Sequence, residues 1–211
     1  MLDAYLKPDY DRCCLITIDV QSDTLDGKPF EVPGTSEALP QIISLSRRFR
    51  GLKKNIAHIV RIYEQDGSNA DLCRKSALER GTPILLRDSE GSQLAEGLLP
   101  AAQRLDVRLL KLGEVQILSP YEIIIYKPRW GAFYRTALDP YLKALEINTL
   151  IFTGCNFPNC PRTTVYEASE RDYRIVFVRD AVSGVYERGI KELEEIGVTV
   201  ISTDDLLRAL S

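Results

Sequence analysis

At 211 residues the chain is long enough for one domain with a sizeable core, and 45% hydrophobic with 27% charged residues is an ordinary globular composition. With 27 Lys and Arg against 30 Asp and Glu, the net charge of -3 gives no case for nucleic acid or an anionic membrane as partner. No apolar run approaches the roughly 18 residues that span a bilayer, and the opening MLDAYLKPDYDR lacks the apolar centre of a signal peptide, so a single cytoplasmic domain over residues 1–211 is expected.

Cys14 to Asp19 (CLITID) is a continuous apolar run closed by an acid, the pattern of a parallel strand buried on both faces. The five cysteines, an odd number, suit free thiols in a reducing compartment. Cys13 and Cys14, neighbours on this strand, read as packing residues, and Cys73 lies in a polar segment without a signal. Ser36 to Phe49 has helical spacing through Leu39, Ile42 and Ile43, with Ser46 interrupting the stripe. Asn55 to Ile62 is the second strand and holds His58, the only histidine. Inside the run IAHIVRIY a hydrogen-bonded core histidine is the plainer reading than a ligand or base. With no His/Cys/Asp cluster, an imidazole metal site is disfavoured, and neither metal nor cofactor is expected.

Residues 63–116 are less regular, punctuated by Gly67, Gly81, Pro83, Gly91, Gly97 and Pro100; short helices and an active-site loop are expected there. Glu122 to Tyr126 is the third strand, stopped by Pro128, and Leu138 to Leu145 a short helix. Thr149 to Phe152 is the fourth strand, followed by a compact loop and a helix that opens at or just after Cys160 and is clearest over Thr163 to Arg171. Arg174 to Val178 is the fifth strand, Gly189 to Ile196 a helix stopped by Gly197, and Val198 to Ile201 the sixth strand. Thr203 starts the last helix as its N-cap, with Asp204 and Asp205 in the first turn. This alternation predicts an α/β fold: three layers, α-β-α, around a six-stranded, mainly parallel sheet.

In such sheets ligands bind beyond the carboxyl ends of the strands, where strand order reverses. Strand one ends at Asp19, strand three leads to Lys127 and strand four to Cys160, so an acid, a base and a thiol converge on one edge. At a helix start the first N–H groups lack partners and the dipole is positive, which favours thiolate. Cys160 therefore reads as a nucleophile, against the alternative of a buried core thiol.

Three segments in order resemble the isochorismatase-like cysteine hydrolases: LITIDVQSDTL with Asp19 and Gln21, IIIYKPRWGAF with Lys127 and Phe133, and TGCNFPNCPRTTVYE with Gly154 and Cys160. The resemblance covers the chain from about Arg12 onward, weakest in the middle. It implies a triad of Asp19, Lys127 and Cys160, in which Asp19 takes the thiol proton and Lys127 holds Asp19 and stabilises negative charge. It further implies a cis peptide between Cys155 and Asn156, with an oxyanion hole formed by the N–H groups of Asn156 and Cys160. A homodimer or homotetramer is implied in the same way.

Departures from the family pattern bear on the substrate. The stretch RIYEQDGSNADLCRK has no histidine where nicotinamidases carry an Asp and His metal cluster, and retention of Cys160 favours C–N hydrolysis over the vinyl-ether chemistry of true isochorismatases. Ser22, Thr24, Asn156, Pro158 and Pro161 also differ from the usual residues. Arg129 and Arg162, two residues past Lys127 and Cys160, are candidate readers of a substrate carboxylate, although Arg162 equally suits a solvated or subunit-facing position. Trp130 and Phe133 are candidates for an apolar pocket wall, or for core or interface. The sequence reading is thus an amidohydrolase of a small amide, ureido or carbamoyl compound. Its rivals are vinyl-ether hydrolysis and a non-catalytic binding relative; no G-x-G-x-x-G or P-loop supports a nucleotide module.

Overall fold

The computed structural model describes residues 3–100 and 103–210. Strands β1 (Cys13–Ile18), β2 (Asn55–Val60), β3 (Gln116–Ser119), β4 (Glu122–Tyr126), β5 (Thr149–Gly154), β6 (Arg174–Val182) and β7 (Thr199–Ile201) form one sheet in the order β3-β4-β2-β1-β5-β6-β7. All pairings are parallel except β3 with β4. The sheet therefore has seven strands where six were expected. The extra one, β3, is a four-residue edge strand whose apolar alternation is too short to stand out and which exists only by pairing with β4.

Alternation of side chains across the sheet builds the three layers. Leu15, Ile56, Val60, Ile124, Ile151 and Val176 point to one face, where α1 (Thr35–Gly51) packs through Ile42, Leu45 and Phe49 and α7 (Thr203–Ala209) through Leu206. Cys14, Ile16, Ala57, Ile123, Phe152 and Phe177 point to the other, covered by α4 (Leu138–Ala144), α5 (Cys160–Ser169) and α6 (Glu187–Glu195). Cys13 and Cys14 thus pack on opposite faces. Two shorter helices, α2 (Leu72–Glu79) and α3 (Val107–Lys111), interrupt the irregular middle segment.

Local chemistry sets the element ends. The cap of α7 is Ser202 rather than Thr203: its Oγ accepts from the Asp205 amide at 3.2 Å while the Asp205 carboxylate accepts from the Ser202 amide at 3.3 Å. His58 is fully buried between Thr17 Oγ1, 2.7 Å from its Nδ1, and Glu122 Oε1, 2.8 Å from its Nε2. Glu122 in turn is bound by Arg50, whose Nε donates to it at 2.8 Å. The histidine is a hydrogen-bonded core residue.

The chain leaves β1 toward β2 on one side and returns to β5 on the other, so strand order reverses between β1 and β5. A crevice is expected at that point, beyond the carboxyl ends of these strands.

Candidate active site

β1 delivers Asp19 immediately after its last residue, in the left-handed region at φ 54. The Asp19 amide remains tied to the sheet through Ile59 O at 2.9 Å. β4 delivers Lys127 in the same way, its amide donating to Val60 O at 3.0 Å. β5 ends at Gly154, whose φ of +119 and close packing on Ile18 turn the chain into the loop before α5. Cys155 Sγ donates to the Asp19 carbonyl at 3.1 Å, the Cys155–Asn156 peptide is cis, and Cys160 is the first residue of α5. Among the described residues the amides of Asn156 and Cys160 have no acceptor, while Phe157 N donates to Ser183 O at 2.8 Å.

Three side chains meet here. Lys127 Nζ lies 2.9 Å from Asp19 Oδ2 and 3.3 Å from Cys160 Sγ, and also donates to Arg129 O at 3.2 Å. Asp19 Oδ1 is buried without a hydrogen-bond partner, an acceptor held in reserve. Burial alone lowers the Lys127 pKa, but the charges of Asp19 and Cys160 outweigh it and bring it up to about 12. Burial pushes the Cys160 thiol well up, the Asp19 charge adds to the rise, and Lys127 opposes it without prevailing. The helix start and Lys127 favour thiolate, while desolvation and the Asp19 carboxylate oppose it.

These groups line a cavity of about 190 Å³. Its remaining wall is built from Phe30 and Val32 in the loop before α1, from Arg61, Tyr63 and Asp71 after β2, from Arg74 on α2, and from Trp130. Asp19, Lys127, Cys155, Asn156, Cys160 and Trp130 are therefore together. The other sequence-predicted pocket residues are not. Gln21 is buried beneath the site, accepting from Arg61 N at 2.9 Å and donating to Arg61 O at 2.9 Å and to Ser92 O at 2.6 Å. Phe133 packs in the core against Tyr173, ring centres 5.8 Å apart. Arg129 turns outward, its Nη1 donating to Pro128 O at 2.7 Å. Arg162 faces α6, donating to Glu192 and to the Tyr186 hydroxyl.

Tyr63, Asp71 and Arg74 had no sequence signal beyond lying in the irregular segment after the second strand, and Arg61 had none beyond its place in the run read as that strand. Asp71 accepts from the Tyr63 hydroxyl at 2.8 Å and lies 3.6 Å from Arg61 Nη2. No group of three or more His, Cys, Asp and Glu side chains able to hold a metal converges among the described residues.

The Isochorismatase family, described as the isochorismatase domain, matches residues 13–205. The chain belongs to this family. The isochorismatase-family chain is 25% identical over 192 residues to a protein of Arabidopsis thaliana named as a probable inactive nicotinamidase, covering 87% of this chain and 89% of that protein. It is 26% identical to the N-carbamoylsarcosine amidase of an Arthrobacter species, over 94% of this chain and 71% of the relative. Maleamate amidohydrolase of Pseudomonas putida is likewise 26% identical, with 93% and 85% covered. Among solved structures, an isochorismatase family protein from Desulfovibrio vulgaris superposes with a TM-score of 0.80 at 29% identity, over 94% of this chain and 98% of that one. No helix among the described residues is long and apolar enough to cross a membrane.

Proposed function

We propose that this chain is a cysteine-dependent hydrolase of a small-molecule C–N bond, releasing ammonia through an acyl-thioenzyme. The observation that carries the reading is the contact of Lys127 Nζ with both Asp19 Oδ2, at 2.9 Å, and Cys160 Sγ, at 3.3 Å, on the edge of a cavity. The amidase and amidohydrolase names of the Arthrobacter and Pseudomonas relatives support the same bond type.

The steps follow from the charge arrangement. Asp19 takes the Sγ proton on its unpartnered Oδ1 as sulfur attacks the substrate carbonyl carbon. The oxygen of the tetrahedral adduct gains negative charge, which the N–H groups of Asn156 and Cys160 receive at the positive end of α5. Collapse breaks the C–N bond, and the nitrogen leaves as ammonia with the proton from Asp19. Water then adds to the thioester, giving its proton to Asp19, and the second collapse releases the acid and returns the proton to sulfur. Lys127, still protonated well above neutrality, holds the Asp19 carboxylate throughout.

Ammonia release from a panel of small amides, ureas and carbamoyl acids tests the reading. Wild type turns over at least one of them, and Cys160→Ala lowers that rate by roughly 10⁴ or more. Full activity in Cys160→Ala would shift the reading to acid chemistry by Asp19 and Lys127 without sulfur. A folded wild type that is silent across the panel and leaves Cys160 unalkylated would favour a binding protein, in keeping with the inactive label of the Arabidopsis relative.

A further inference from the structure

The cations that line the cavity differ in their partners. Lys127 is matched by Asp19, and Arg61 and Arg129 flank the single carboxylate of Asp71 at 3.6 and 3.7 Å. Arg74, in the first turn of α2, lines the same cavity as Cys160, and no carboxylate among the described residues lies within ion-pair distance of it. Its guanidinium carbon sits 4.6 Å from the centre of the Phe30 ring. Phe30 packs in turn on the small apolar cluster of Tyr63, Leu78, Ile84 and Leu85, so the cation rests on a braced surface. Glu31 also borders the cavity, but it is exposed and its carboxylate accepts from the Gly27 amide at 2.7 Å. On the same wall Arg61 Nε is a buried donor without an acceptor.

A half-buried guanidinium without a counter-charge, beside an unfilled donor, is an arrangement that an anionic ligand completes. We propose that Arg74, aided by Arg61 Nε, binds a carboxylate of the substrate, which is therefore a short amide, ureido or carbamoyl compound with a carboxylate a few bonds from the scissile C–N bond. The proposal rests on the amidohydrolase reading for the nature of the reacting group, and on Arg74 and Arg61 alone for the charge. It moves the carboxylate reader from the positions nearest the triad in sequence to a wall contributed by the irregular segment.

Binding separates this claim from catalysis. Cys160→Ala protein is titrated calorimetrically with oxamate, malonamate, succinamate and glutaramate, and with the corresponding uncharged diamides. At least one amido acid binds about 10- to 100-fold tighter than its diamide, the range expected of charge-assisted hydrogen bonds. Adding Arg74→Met brings that pair within about threefold, and Arg74→Lys restores part of the difference. Should Arg74→Met fail to fold, Phe30→Leu removes the platform and shrinks the preference severalfold. Equal affinity for every acid and its diamide, or a preference that survives whichever of these variants folds, overturns the proposal. An amido acid that binds through Arg74 but is not hydrolysed by wild type upholds the carboxylate site and counts against the amidohydrolase reading. Equal KM values for amido acid and diamide, with turnover of both, do the reverse.

Discussion

Lys127 is among the largest side chains that the fold buries completely, and it is charged. An isolated buried ammonium is costly, and Asp19 at 2.9 Å offsets that cost. Because its folded pKa is raised from 10.5 to about 12, its stabilisation is fully present below pH 10.5 and is lost as pH rises through 12. Its size is about 2 kcal/mol. The Cys155 and Cys160 thiols, raised above their ordinary 9.0, act in the same direction, since the unfolded chain ionises first. The urea midpoint should therefore hold level from pH 7 to about 9 and fall steadily by pH 12; a midpoint that stays level to pH 12 would contradict the buried pair. At this scale the sequence was legible where a residue follows directly from a strand end, as Asp19 and Lys127 do. It misled where a side chain swings. Arg162, two residues into α5 from Cys160, lies about 200° around the helix, so periodicity alone sets it apart from the thiol. Arg129 follows Pro128 in a loop, and no periodicity governs its direction.

Among the elements, the turn from β5 into α5 is the most constrained. A Cβ at Gly154 would stand 2.2 Å from the Ile18 carbonyl oxygen and 2.6 Å from the Ile18 nitrogen, with φ at +119 besides. That carbonyl also accepts the Cys155 amide at 2.9 Å, so any shift passes straight to the loop that carries the thiol. Gly154→Ala should cost about 2–4 kcal/mol, read as a lower urea midpoint, and reduce ammonia release even in the fraction that folds. A wild-type midpoint would show that the strands part easily. The long apolar runs CLITI, EIII and RIVFV announced their strands because both faces are buried. β3 did not, because its exposed Ile117 and the shift in its pairing with β4 leave little pattern to read.

For the whole molecule, α/β alternation was readable from run lengths and spacing, whereas the strand order and its reversal between β1 and β5 emerge only from the pairing of distant strands. The far wall of the cavity was not. It depends on long-range contacts such as Asp23 Oδ2 accepting from Leu85 N at 2.8 Å and Tyr63 pairing with Leu86, which carry no local signature. The proposed reacting side and the proposed recognising side of the cavity consequently rest on different parts of the protein: the central sheet and the segment from Arg61 to Leu86.

That division has a consequence for how the molecule breathes. The amides of Asp19, Lys127 and Cys155 are locked onto Ile59, Val60 and Ile18 in the middle of the sheet, so their deuterium uptake should require global unfolding. Helix α2 buries only Leu78 and should exchange through local opening, at protection factors lower by roughly a hundredfold or more. Uniform protection across both regions would refute the division. Given the difference, the Arg74 wall can be rebuilt by substitution without loosening Asp19, Lys127 and Cys160, and under the proposed reading a lineage can change what it hydrolyses while keeping how.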